Sequence, residues 1–188
     1  MHDLTAITAL GGLEPQVDTV GEVTLSEIPD VALASVAART REESVCVAQL
    51  KALLGGPPPQ AGQAKFGGPY AAVWVGPDQW LLSASFETHE DIAAQVKTKL
   101  GDTASVTEQT DAWCCFDLTG PHVHTVLELL CTIDLTRFET GHATRTSIHH
   151  LGCFVICLEK GQSVRILGPR ASAGSLHHAI TTAMASAL

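Results

Sequence analysis

The sequence predicts an α+β fold in which two ferredoxin-like (split βαβ) halves form one pseudo-symmetric domain. Short alternating apolar runs and amphipathic helical runs follow one another as β-α-β-β-α in each half of the chain. A Gly-Pro pair separates a strand from the next element three times, at 76–77, 120–121 and 168–169. The Gly/Pro-rich stretch 55–68 is the clearest break in composition and predicts an internal loop.

The domain organisation follows from the length and from these breaks. A chain of 188 residues can bury a core without a metal or a disulfide. Residues 1–20 are polar and weakly patterned, so we expect them to form an N-terminal arm. Residues 21–188 are expected to form a single domain with halves at about 21–108 and 109–188.

The first half is predicted to begin with strands at Gly21–Ile28 and Val31–Ala38, where apolar residues recur at alternate positions. Apolar residues near helical spacing predict a helix over Arg41–Leu54, which Gly55 ends. The remaining elements are, in order, a strand at 70–75, a Gly-Pro-Asp turn at 76–78, a strand at 79–84 and an amphipathic helix at 88–100.

The second half is predicted to repeat this plan. Trp113–Leu118 (WCCFDL) is a strand, and Pro121 suits the first position of a helix that runs to about Cys131. The remaining elements are, in order, strands at 146–150, 153–158 and 163–167 and a terminal helix at 175–187.

Charge and composition exclude several classes of partner. Lys and Arg number 11 against 20 Asp and Glu, and the net charge of −9 repels nucleic acid and anionic membranes. No apolar run reaches the roughly 18 residues needed to span a bilayer, and the first residues do not resemble a signal peptide, so we expect a cytoplasmic protein. Charged residues, at 16%, are sparse, which indicates either a large core or a surface covered by another molecule.

The cysteines are expected to be buried thiols rather than disulfides, because several lie in apolar runs of a chain without a secretion signal. Cys114 and Cys115 lie in a strand beside Trp113, an environment that keeps a thiol inert. The six cysteines are Cys46, Cys114, Cys115, Cys131, Cys153 and Cys157.

Metal ligands and catalytic groups are not predicted in this chain. His149, His150, Cys153 and Cys157 lie close in sequence, but neighbours in a strand point to opposite faces, and the two cysteines would be about 13 Å apart. No Gly-x-Ser-x-Gly, GxGxxG or GxxxxGK[ST] motif occurs. We therefore expect no catalytic, cofactor-binding or metal-binding residue here, and the histidines at 122, 124, 177 and 178 are expected to be ordinary junction or surface residues.

Two sequence blocks carry a resemblance to a known family. Val73–Leu82 (VWVGPDQWLL) resembles the W-L-G-P-D-E-W-L block of the γ subunit of heterotetrameric sarcosine oxidase. Phe116–Pro121 (FDLTGP), a helix that ends at Cys131, and then Ile133–Leu135 (IDL) are similar to that family's L-x-L-S-G-P … L-x-K-G-C-P-L-D-L block. The resemblance extends over about residues 20–188.

This resemblance implies an aminomethyltransferase-like fold and an accessory, non-catalytic γ subunit packed against α, β and δ subunits. It implies a complex that oxidises sarcosine to glycine and passes the released one-carbon unit to tetrahydrofolate. The cofactors would be on other subunits: FAD and FMN on or beside β, NAD and tetrahydrofolate on α, and zinc on δ. No motif of this chain matches a cofactor-binding residue of the family.

Alternatives remain open at this stage. The family continues its last block as D-L-H-P-x-x-F, whereas Asp134-Leu135 here reaches Phe138 without the His and Pro. This departure leaves room for the small subunit of a related N-methyl amino acid dehydrogenase. A free-standing folate-binding aminomethyltransferase-like protein would use Asp111 or Asp117 as its carboxylate, and a metal-binding module would use the His149–Cys157 region.

Overall fold

The computed structural model describes residues 5–188, which form an α+β protein with two antiparallel sheets and four α-helices. The first four residues of the predicted N-terminal arm lie outside the described part. The strands are β1 (Val17–Val20), β2 (Val23–Glu27), β3 (Ala32–Ala38), β4 (Ala64–Lys65), β5 (Ala71–Gly76), β6 (Gln79–Ala84), β7 (Ala104–Glu108), β8 (Trp113–Thr119), β9 (Ala143–Ile148), β10 (Leu151–Glu159) and β11 (Ser163–Pro169). The helices are α1 (Glu43–Leu53), α2 (Ile92–Leu100), α3 (Val123–Leu130) and α4 (Ala173–Ala187).

The chain divides into two compact units. Unit 1 combines the described residues up to Pro29 with Ala112–Thr140 and Thr144–Leu188. Unit 2 comprises Asp30–Asp111 and Gly141–Ala143.

Unit 2 contains a five-stranded sheet in the order β4-β5-β6-β3-β7. One face packs on α1 and α2, because β3 places Ala32, Ala34 and Val36 on that face at every second position. The helices contribute apolar residues at helical spacing to the same core. These core residues are Cys46, Leu50, Ile92, Val96 and Leu100, and Leu54, directly after α1, joins them.

Unit 1 contains a six-stranded sheet in the order β1-β2-β8-β11-β10-β9. Its second strand comes from the N-terminal part of the chain and pairs with β8, with Leu25 opposite Leu118. One face packs on α3 and α4 and forms a core around the fully buried Phe116. The helical residues of this core are Val123, Val126, Leu127, Ala173, Leu176, Ile180, Ala183 and Met184.

The α+β class is confirmed, and the element bounds differ from the prediction in instructive places. Helix α2 begins at Ile92 rather than at 88, because Ser85 and the Glu87 backbone bond to the carboxylate of Asp30 in a turn. The predicted loop 55–68 includes the short edge strand β4. The predicted arm includes β1, and β7 was not predicted at all. All three unpredicted strands lie at sheet edges, where the apolar alternation of a sequence is weakest.

Candidate subunit-contact surface

The first family-like block shapes a hairpin. Asp78 adopts a left-handed backbone (φ 55°) between β5 and β6, and its carbonyl accepts a hydrogen bond from the Ala38 amide. Trp80 is buried, and its indole Nε1 donates to the carbonyl of Pro59 at 3.0 Å. The block therefore sets a turn and fixes the Gly/Pro-rich loop to unit 2.

The Gly-Pro junction after β8 requires glycine for two reasons. Gly120 has φ 131°, and a Cβ built on it would lie 2.2 Å from the carbonyl oxygen of Glu22. A side chain would thus meet backbone as well as a strained conformation. Gly168 on β11 is similarly close to α4, since its Cβ would lie 2.3 Å from Leu176 Cδ2.

The second family-like block ends α3 and begins a short 3₁₀ turn, Leu135–Arg137. Asp134 caps this turn by accepting hydrogen bonds from the amide of Thr136, at 3.2 Å, and from its hydroxyl, at 2.6 Å. The Thr136 hydroxyl lowers the pKa of the Asp134 carboxyl. Leu135 and Phe138 are buried in the core of unit 1. Both blocks thus form turns and core contacts that stabilise the fold.

All six cysteines are free thiols. Burial raises the pKa of Cys114 and of Cys153 to about 11 and that of Cys115 to about 12. Burial also raises the pKa of Cys46, Cys131 and Cys157. A thiol of this kind stays protonated near neutral pH and is a poor nucleophile or metal ligand.

The His149–Cys157 region does not gather into a metal site. His149 and His150 form the tight turn between β9 and β10, with φ of 47° and 66°, so the predicted strand at 146–150 ends at Ile148. Cys153 and Cys157 are fully buried in the core of unit 1. Among residues 5–188, no group of three or more His, Cys, Asp or Glu side chains could hold a metal ion.

The histidines on α4 and before α3 differ in their exposure to solvent. His177 was expected on the surface, but its side chain is only 16% exposed, because its Nε2 lies 2.7 Å from Asp18 Oδ2. His178, on the same helix, is exposed. The Nε2 of His122 lies 3.9 Å from the Glu22 carboxylate at an exposed position.

The candidate carboxylates for one-carbon chemistry differ in environment. Asp117 on β8 faces Arg165 on β11, and two hydrogen bonds of 2.7 and 2.8 Å join its oxygens to Nε and Nη2. This partnership raises the pKa of the guanidinium further. Asp111 is exposed in a short 3₁₀ turn of unit 2. The Asp117 carboxylate is therefore already engaged by a cation of its own sheet.

The N-terminal arm is firmly anchored to unit 1. Glu27 is buried, and its two carboxylate oxygens accept hydrogen bonds from the backbone amides of Leu10, at 3.0 Å, and Gln16, at 3.1 Å. Thr8 closes a turn in which its amide donates to the Gly12 carbonyl. Strand β1 pairs with β2, and Asp18 contacts His177 as described above. A carboxylate buried with two backbone donors is a strong attachment for a segment without regular structure.

The same arm presents large apolar side chains to solvent. Ile7 is 57% exposed, Leu13 is 71% exposed and Val17 is 60% exposed. Three large exposed apolar side chains in one anchored segment make it a candidate protein–protein contact surface. No sequence pattern predicts this surface, because isolated apolar residues in a polar stretch match neither the helix nor the strand period.

Two comparisons place this fold among known structures. Its fold is aminomethyltransferase-like: the glycine cleavage system aminomethyltransferase T from Bartonella henselae matches 85% of the chain with a TM-score of 0.61 at 15% identity. The chain spans 45% of that protein. A chain of the heterotetrameric sarcosine oxidase from Corynebacterium sp. U-96, solved in complex with pyrrole 2-carboxylate, matches 89% of this chain over 87% of its own length. That match has a TM-score of 0.78 and 26% identity and confirms the resemblance stated from the sequence.

No family model matches the chain, and no curated protein matches it in sequence. No helix within residues 5–188 is long and apolar enough to cross a membrane.

Proposed function

We propose that this chain is the γ subunit of a heterotetrameric sarcosine oxidase-type complex and that it carries no catalytic residues. The observation that supports this most directly is the likeness to a sarcosine oxidase chain at a TM-score of 0.78. Because 89% of this chain matches 87% of that one, the two chains have similar lengths.

The complex oxidatively demethylates sarcosine to glycine and transfers the one-carbon unit to tetrahydrofolate. The α, β and δ subunits perform this chemistry and hold FAD, FMN, NAD, tetrahydrofolate and zinc, and the assembly is cytoplasmic. The accessory role of this chain is supported by its own groups, since burial raises the pKa of Cys114 and Cys115 and Asp117 is engaged by Arg165. Its contribution is structural, through a surface that other subunits cover.

The proposal includes an internal repeat of ferredoxin-like halves in one pseudo-symmetric domain. In unit 2, the order β5-β6-β3-β7 puts the first and third strands of a β-α-β-β-α-β motif at the centre. In unit 1, β2-β8-β11-β10 has the same order if β2 takes the place of the last strand. The halves differ because the fourth strand of the motif in unit 1 is β2, which comes from the N-terminal part of the chain.

Two alternatives lead to different experiments. The small subunit of an N-methyl amino acid dehydrogenase would assemble in the same way, but its complex would oxidise another N-methyl amino acid. A free-standing folate-binding aminomethyltransferase-like protein would act alone. The chain spans 45% of the matching aminomethyltransferase.

Co-expression with the proteins encoded beside this chain tests the proposal. The chain is expressed alone, and with its neighbours, and each preparation is assayed for oxidation of sarcosine and of N-methylglutamate. We expect no turnover from the chain alone and a stoichiometric, sarcosine-oxidising complex from the co-expression. Turnover or tetrahydrofolate binding by the isolated chain would overturn the accessory role, and a complex active only on N-methylglutamate would assign the dehydrogenase.

A further inference from the structure

We propose that the outer edge of β1 is an interface strand: an extended segment of a partner subunit, apolar and bearing Lys or Arg, pairs with it and covers Ile7, Leu13 and Val17. This inference rests on the proposed function, because the partner is another subunit of the same complex. It adds the surface and the mode of contact, which is β-strand addition to the outer edge of a sheet.

The register of the hairpin shows which backbone groups are available at this edge. The Glu27 amide donates to the Gln16 carbonyl, which is one of the two bonds of a hydrogen-bonded antiparallel pair, while the Gln16 amide donates to the Glu27 carboxylate. Such pairs alternate along an antiparallel ladder, which makes Asp18 and Val20 the bonded residues of β1. The amide and carbonyl groups of Val17 and Thr19 therefore point away from β2, toward the outer edge of the sheet, where no strand of residues 5–188 pairs with β1.

The edge is preorganised for a partner. The buried carboxylate of Glu27 holds the arm at Leu10 and Gln16, which brackets Leu13 between two fixed points. Little backbone freedom remains to be lost when a partner binds, which lowers the entropic cost of association. An anchored segment that still exposes Leu13 and Val17 thus offers both backbone pairing and apolar contact.

The charge around the edge indicates the chemistry of the partner segment. Residues 5–38 contain no Lys or Arg. Glu14 is exposed before β1, and Glu22, after β1, has a side chain that is 78% exposed. Within a chain of net charge −9, this favours a basic segment over a second copy of the same acidic surface.

Hydrogen exchange on the wild-type chain, alone and in the co-expressed complex, tests the pairing directly. We expect the Val17 and Thr19 amides to exchange fast in the isolated chain and to become protected in the complex. The amides of Asp18 and Val20 should be protected in both, because β2 already pairs with them. Unchanged fast exchange at Val17 and Thr19 in an assembled complex would overturn the inference.

Matched variants test the contribution of backbone, apolar and acidic groups to assembly. Thr19→Pro removes an outward amide and Thr19→Val keeps it, so only the former should weaken assembly. Leu13→Glu and Glu14→Lys should each weaken it about tenfold or more. Their controls on exposed positions of α3, Leu129→Glu and Glu128→Lys, should assemble as the wild type does.

The outcomes separate this inference from the proposed function. If the wild-type complex forms and the arm variants assemble as tightly as their controls, the edge is not the interface and the subunit assignment stands. If the isolated chain forms a dimer that Thr19→Pro abolishes, the occupant is a second copy and the inference is wrong. If no complex forms with the wild type, both the proposed function and the inference fail.

Discussion

Asp117 on β8 holds Arg165 on β11 through two parallel hydrogen bonds, of 2.7 and 2.8 Å, across adjacent strands of one sheet. The side chains are 16% and 26% exposed, so the pair is largely shielded from water. A two-point contact between a planar guanidinium and a carboxylate fixes geometry as well as charge. It also occupies the carboxylate that a folate-dependent reaction in this unit would have needed free.

The first prediction concerns the strength of this pair. A double-mutant cycle with Asp117→Asn and Arg165→Met should give a coupling free energy of about 1–3 kcal/mol by denaturant unfolding. Asp102→Asn serves as the control, because Asp102 is 96% exposed and 3.7 Å from Lys97, and it should cost less than about 0.5 kcal/mol. Equal effects at the two sites would show that shielding does not strengthen the pair.

The second prediction concerns the anchor of the N-terminal arm. Glu27→Gln replaces one acceptor oxygen with an amide, which then opposes a backbone donor, so we expect a cost of about 1–3 kcal/mol. The arm should open locally and be cut faster at the Gly12–Leu13 bond by thermolysin, which cleaves before large apolar residues. Glu22→Gln, at a largely exposed side chain, should leave the cleavage rate unchanged. Cleavage of Glu27→Gln at the wild-type rate would contradict the anchoring role.

The third prediction compares two glycines. Gly120→Ala combines φ 131° with a Cβ 2.2 Å from a backbone oxygen and should destabilise the fold by at least about 2 kcal/mol. Gly174→Ala lies in α4 with open space around its Cβ and should stabilise the fold by roughly 0.5–1 kcal/mol. Thermal unfolding of both variants gives the two signs in one experiment. A mild effect of Gly120→Ala would mean that the backbone of Glu22 moves aside.

The fourth prediction concerns alkaline pH. Burial raises the pKa of Cys114 and Cys153 to about 11 and that of Cys115 to about 12, against an ordinary value of 9.0. The folded chain thus keeps these protons longer than the unfolded chain, so the stabilisation is complete below about pH 9 and is lost as pH rises toward 11 or 12. Unfolding free energies at pH 8 and pH 10 should differ less for Cys115→Ser than for the wild type. An identical pH dependence of the variant and the wild type would show that Cys115 does not contribute to the loss of stability at alkaline pH.

Much of the fold was predictable because its central strands and helices have strong local patterns. Trp113–Leu118 is apolar apart from Asp117, Cys153–Leu158 is apolar throughout, and both lie in the middle of the sheet of unit 1. The edge strands β1 and β7 (Val17–Val20 and Ala104–Glu108) alternate weakly and contain polar residues, because they contact a neighbour on one side only.

The contact surface could not be predicted, because long-range contacts define it. Leu13 belongs to a contact surface only because the Glu27 carboxylate fixes the arm on both sides of it. No local sequence pattern predicts those two hydrogen bonds. Likewise, the pairing of Leu25 with Leu118 joins segments that sequence periodicity treats as unrelated. The family-like blocks were recognisable because they fix turns, such as the one at Gly120, and local backbone constraints leave a compact mark on the sequence.

The position of β2 dictates an order of events while the chain leaves the ribosome. Its partner β8 is synthesised only after the whole of Asp30–Asp111, so a nascent chain holds the β1–β2 hairpin without the rest of its sheet while most of the other unit is already available to fold. A lone two-stranded hairpin is barely stable in water. The N-terminal segment therefore has unpaired backbone groups until β8 is made. A chain interrupted before Trp113 would expose the edge of β2 that normally pairs with β8, and such an edge is prone to aggregation.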